Sequence, residues 1–108
     1  MTNVTSSVVC DYLLNSLNEV LHGFPVDFQA TLGYGREHVQ EVFSTLDARC
    51  KPAGRLISEC VDRSQVILLL ACSRLCREEL DADEFETRLG ISLERALEVE
   101  AEISTLLG

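Results

Sequence analysis

With 108 residues, 46% of them apolar, the chain can build one hydrophobic core and is too apolar to be disordered by default. A formal charge of −9 excludes the Lys/Arg excess needed to hold nucleic acid or an anionic membrane surface. Aromatics make up only 6% and Trp is absent, so Leu, Val, Ala and Ile must fill the interior.

The periodicity is helical almost throughout. Val8, Val9, Tyr12, Leu13, Leu17, Val20 and Leu21 recur at steps of three and four, which predicts a first helix. Thr5, Ser6 or Ser7 can cap its start, Gly23 can end it, and Pro25 blocks continuation. Asn15, Asn18 and Glu19 interrupt its apolar pattern; they either face solvent or bond to the turn at His22-Gly23. Asp27 then reads as the N-cap of a short helix through Leu32, closed by Gly33. A third helix is predicted from about Arg36 through Val39, Val42, Phe43 and Leu46, stopped by Lys51-Pro52.

A fourth, long helix is predicted over about residues 54–79, with a stripe of Leu56, Ile57, Cys60, Val61, Leu68, Ala71, Cys72 and Leu75. The run from Val66 to Leu70 is apolar on every side, which marks this helix as the central, most buried one. The longest apolar run, Val66 to Cys72, is far too short to span a bilayer. Asp81 to Asp83 offer an N-cap for a short helix through Leu89, ended by Gly90. Ser92 caps a last helix with Leu93, Ala96, Leu97, Val99, Ile103, Leu106 and Leu107 on its inner face. The expected fold is an all-α single domain, a bundle of five or six helices over residues 1–108.

Two segments agree without a gap at an offset of 57 residues: Phe28 to Val39, and Phe85 to Ala96. Phe, Leu, Gly and Glu coincide, and each copy follows a long helix, so the bundle reads as two related halves, about 5–50 and 54–107. Each Leu-Gly-apolar corner also has the outline of a helix-turn-helix. The charges reject DNA recognition: the second copy presents Glu94, Glu98, Glu100 and Glu102 against Arg95, and in the first Glu37 and Glu41 flank Arg36, His38 and Gln40.

No catalytic or metal motif stands out. The five cysteines (Cys10, Cys50, Cys60, Cys72 and Cys76) are odd in number, and the first residues lack a basic segment before a continuous apolar run. Free thiols in a reducing, cytoplasmic setting are expected, with Cys60, Cys72 and Cys76 acting as small buried hydrophobes. Cys72 and Cys76 lie one helical turn apart, but His22 and His38 show no ligand spacing with them, so no metal or other cofactor is expected. Gly33-Tyr34-Gly35 has neither the strand nor the lysine of a phosphate loop.

The charge is lopsided. From Glu78 to the C-terminal Gly108 there are ten acids against two arginines, a local net charge of −8. Glu94, Glu98 and Glu102 follow one another at i+4, where like charges cost about 0.2–0.5 kcal/mol per pair. With Asp81, Asp83, Glu84 and Glu86 they form a candidate binding surface for a basic protein; the alternative reading is a solvated face serving solubility.

The stretch Leu17-Asn18-Glu19-Val20-Leu21-His22-Gly23-Phe24, then Asp27-Phe28 with Gly33, then Arg36-Glu37 opening the next helix, resembles the small all-helical immunity proteins of contact-dependent growth inhibition and related bacterial polymorphic toxin systems. The resemblance covers about one third of the chain and implies a cytoplasmic, non-enzymatic protein that neutralises one cognate toxin domain, often a nuclease. Such families share no fixed binding residues, so the seven acids above are nominated on charge alone. From a different class, the charge also suits an acidic adaptor or a DNA-mimic inhibitor of a nucleic-acid enzyme.

Overall fold

A computed structural model describes residues 7–50 and 57–107, and in them the chain is an all-α bundle. Six helices carry the architecture: α1 (Ser7–Asn18), α2 (Phe28–Leu32), α3 (Arg36–Cys50), α5 (Arg63–Glu79), α6 (Ala82–Leu89) and α7 (Leu93–Ser104). A seventh helical segment, α4 (Ile57–Cys60), has only four residues. A π-type turn (Glu19–Gly23) extends α1, and a 3₁₀ turn (Thr105–Leu107) extends α7. The caps proposed at Thr5 and Ser6, the stop at Lys51-Pro52, the helix start near Gly54 and the stripe residue Leu56 lie outside the described residues, as do the side chains of Val8 and Ile57.

Helix α5 packs against α1, α2, α6, α7 and both end turns, so it occupies the centre as its apolar run foretold. Its Val66, Leu68, Leu69, Cys72 and Cys76 are buried. They meet Tyr12, Leu13, Leu17, Val20 and Leu21 from the first helix, Val39, Val42 and Leu46 from α3, and Phe85, Leu89, Ala96, Val99 and Ile103 from the acidic end. Tyr12 and Phe85 pair across α1 and α6 with ring centroids 6.2 Å apart, tilted by 50°.

Three expectations need correction. The long helix expected over residues 54–79 is two helices, broken at Val61-Asp62. The break has a local cause: Asp62 Oδ1 accepts from the Gln65 backbone N–H at 2.9 Å while Gln65 Oε1 accepts from the Asp62 N–H, a capping box that starts a new helix. Ile67, within the supposedly buried run, is 51% exposed, and so is Leu97, expected on the inner face of α7. Each sits about 100° around its helix from a buried neighbour, Leu68 and Ala96 respectively.

Both short helices end on a left-handed glycine, Gly33 at φ 78° and Gly90 at φ 82°. Asp27 and Asp81 cap them, accepting from Ala30 N at 3.1 Å and from Glu84 N at 2.8 Å. The caps are not equivalent in the alignment: α6 begins one turn earlier than α2, which places Phe85 fully inside while Phe28 is half-buried. Asn15 does not serve the first corner either. Its amide reaches toward the Leu89 carbonyl at the second corner, 3.5 Å away.

The end of α1 is tied by side chains. In an α-helix the Leu21 carbonyl would accept from residue 25, which is Pro25 and has no N–H. The Arg36 guanidinium donates to that carbonyl instead, lies 3.2 Å from His22 Nδ1 and stands over the Phe28 ring. Arg36 is thus engaged within the fold rather than projected from the corner as a recognition helix would require.

Candidate functional site

The acidic surface is built on α6 and α7. In α6, Phe85 and Leu89 are the buried anchors, so Asp83 and Glu86, three residues apart, project outward together. Asp83 and Glu84 also occupy the first turn, where the helix dipole favours anions. In α7, Ser92 Oγ accepts from Arg95 N at 3.2 Å to start the helix. Ala96, Val99 and Ile103 turn inward, leaving Glu94, Leu97 and Glu98 exposed.

The seven nominated acids do not share one condition. Asp81 serves as the N-cap of α6. Glu84 meets Arg88 Nη2 at 3.3 Å, and Arg88 Nη1 reaches Glu19 at 3.0 Å, tying α6 to the end of the first helix. Glu98 and Glu102 share Arg95 Nη1 at 3.1 and 3.4 Å. Positions i+3 and i+7 from an arginine lie on its side of the helix, which relieves the like-charge repulsion that the acidic spacing implied. Among the described residues, Asp83, Glu86 and Glu94 are exposed carboxylates with no ion pair. The set of unpaired carboxylates is therefore smaller than the seven-residue set, although Glu84 and Glu98 also remain exposed.

Glu100 is the residue that sequence reasoning misplaced by grouping it with the outward acids. It accepts from Arg77 Nε at 2.7 Å and Nη2 at 2.9 Å, and from Ser73 Oγ at 2.6 Å. With Ser73 donating to Glu100, the Tyr12 hydroxyl donates to Ser73 Oγ, completing a chain from the core to the surface. Burial pushes the Tyr12 phenol above its ordinary range, and the hydrogen bond to Glu100 raises Arg77 further. Glu100 falls four residues after buried Ala96 and three before buried Ile103. An acid at such a position needs a cation from the facing helix, and that signal was present in the sequence.

The cysteines expected in the core are there: Cys60, Cys72 and Cys76 are fully buried. Burial pushes the Cys72 and Cys76 thiols up to about 12, and Cys76 Sγ donates to the Ser16 carbonyl at 3.7 Å. Among the described residues no group of His, Cys, Asp and Glu is arranged to hold a metal ion. His38 stacks on Tyr34 with ring centroids 4.3 Å apart, and His22 adjoins Arg36. Shallow depressions lined by described residues include two of similar size. One of 150 Å³ is lined by Thr31, Leu32, Ala71, Arg74, Leu75 and Glu78. Another of 190 Å³ is lined by Asp11, Tyr12, Asn15, Leu89, Gly90 and Ile91. Neither lining includes a histidine or a cysteine. No helix among the described residues is long and apolar enough to cross a membrane. No protein-family model matches the chain, and no curated protein or solved structure matches it either.

Proposed function

We propose that this chain is a binding protein that acts without catalysing a reaction, docking the outer face of α6 and α7 on a basic surface of another protein. The observation that carries this reading is the set of exposed, unpaired carboxylates of Asp83, Glu86 and Glu94 within a segment of net charge −8. The resemblance in residues 17–37 supplies the biological form: an immunity protein that neutralises a cognate toxin domain in the cytoplasm. A nuclease domain suits that role, because the cations it needs for phosphate also attract an acidic inhibitor and can raise association toward 10⁸ M⁻¹s⁻¹, an order-of-magnitude limit.

The test begins with capture by the product of the adjacent gene, followed by stopped-flow association at low salt. Reversing Asp83, Glu86 and Glu94 together to Lys should slow association by about tenfold or more and flatten its salt dependence, while the fold stays intact. These positions are better probes than Glu98 and Glu102, whose reversal would set lysine against Arg95. An unchanged rate removes this face from the interface. Capture of a nucleic-acid enzyme with no toxin encoded nearby would favour the DNA-mimic reading.

A further inference from the structure

A seam runs along α1 where it meets α6 and the corner that leads into α7. Asp11, Asn15 and Glu19 follow one another at i+4 and line it. At one end Glu19 accepts from Arg88 Nη1 at 3.0 Å, an arginine supplied by α6. One turn along, Asn15 Nδ2 reaches toward the Leu89 carbonyl, 3.5 Å away, which leaves Asn15 Oδ1 as an acceptor with no donor among the described residues. A further turn along stands Asp11, exposed and without an ion pair among the described residues. Here the seam opens into the 190 Å³ depression bounded by Asp11, Tyr12, Asn15, Leu89, Gly90 and Ile91. Its lining offers a carboxylate and an amide oxygen and no cationic side chain.

Size and chemistry narrow the occupant. Small-molecule sites run to roughly 300–1,000 Å³, so this depression suits a single side chain rather than a cofactor. Acceptors set beside half-buried Ile91 suit a cation carried on an aliphatic stem. A guanidinium is weakly hydrated and can donate to a carboxylate and an amide oxygen at once, whereas an ammonium group holds its water more strongly. We propose that the depression receives an arginine side chain of the partner protein, its guanidinium donating to Asp11 and Asn15 Oδ1 and its stem lying against Ile91. Arg88 on Glu19 is the internal precedent, two turns away on the same seam. The depression adjoins the acidic face, because Gly90 and Ile91 connect α6 to α7. The source of the arginine rests on the proposed basic partner; the chemistry of the depression does not.

The experiment titrates acetyl-arginine-amide into the isotopically labelled full chain and follows amide chemical shifts. Saturable shifts are expected at Asn15, Gly90 and Ile91. The neutral isostere acetyl-citrulline-amide should bind about tenfold more weakly, and so should the arginine compound to Asp11→Asn, an exposed substitution that spares the fold. Glu41→Gln, the same charge change on the exposed side of α3, should leave the titration unmoved. Absent shifts, equal binding of the citrulline compound, equal weakening by Glu41→Gln, or binding of free arginine but not of the blocked amide would each overturn the proposal. With the captured partner, Asp11→Asn should speed dissociation about tenfold, and an unchanged rate would overturn the assignment of the arginine to that protein. The titration needs no partner, so it succeeds or fails separately from the reversal of Asp83, Glu86 and Glu94.

Discussion

Arg77 holds Glu100 through two hydrogen bonds, 2.7 Å from Nε and 2.9 Å from Nη2, joining the last turn of α5 to α7. The pair is largely withdrawn from water, with 23% of the Arg77 and 13% of the Glu100 side chain exposed. Removing one partner strands the other beside the core. Glu100→Ala should therefore cost about 2–4 kcal/mol in urea unfolding, against less than about 0.5 kcal/mol for the exposed Glu94→Ala. Equal effects from the two substitutions would mean that the Tyr12–Ser73–Glu100–Arg77 chain contributes nothing to stability.

The start of α5 depends on Asp62. Asp62→Ala removes the capping box and should cost about 1 kcal/mol. Hydrogen bonds from Ser64 and from the Gln65 backbone hold the Asp62 carboxyl below its ordinary value of 3.8. A lowered folded-state value means that the carboxylate stabilises the fold fully above pH 3.8 and progressively less as pH falls through the lowered value. Acid unfolding curves of Asp62→Asn and the parent chain should accordingly converge at the lowest pH. Curves that stay parallel would show that the charge of Asp62 is irrelevant.

At the alkaline end the signs reverse. Burial raises the Cys72 and Cys76 thiols from 9.0 to about 12, and raises the Tyr12 phenol above 10.0. Each of these groups binds its proton more tightly when folded, so its contribution is complete below the unfolded value and fades as pH rises through the folded one. Thermal stability should decline between pH 9 and 12. Replacing Cys72 with Ala should reduce that slope even as it lowers stability near pH 7 through a small cavity. A flat profile to pH 12 would contradict the burial of these groups.

Gly33 and Gly90 carry the left-handed turns, and a methyl group added to either meets nothing within 4 Å. Any cost of Gly33→Ala or Gly90→Ala is then conformational, about 1–2 kcal/mol each. Asn should be tolerated better than Ala at both sites. Gly35 has equal space and no positive φ, so Gly35→Ala escapes that strain; as the residue whose carbonyl accepts the first bond of α3 it should instead lose only the N-cap preference of Gly over Ala, up to about 1 kcal/mol, in the same melts.

Local signals in the chain were legible where a residue acts on its own backbone. Asp27, Asp81 and Ser92 as N-caps, with Gly33 and Gly90 as terminators, stand where their side-chain chemistry and conformational freedom place them. The interruption at Asp62 was hidden because Cys60, Val61 and Val66 are all buried across it, so the apolar pattern hardly registers the break. The cue was Asp62 followed three residues later by Gln65. What one sequence could not supply is which arginine meets which carboxylate. Arg88 spans 69 residues to Glu19 and Arg77 spans 23 to Glu100, and those pairings exist only once the helices are packed. Glu84, Glu98 and Glu102 each have a cation beside them, which the count of acids in the segment did not show.

The bond from Arg36 to the Leu21 carbonyl has a bearing on how this chain acquires its shape. Pro25 cannot supply the donor that would close α1, so the donor arrives from a residue 15 positions downstream. The N-terminal segment is consequently not autonomous. A synthetic peptide ending at Gly23 should unwind from Glu19 onward in water, and the last turn of α1 should gain amide protection only in fragments long enough to include α3.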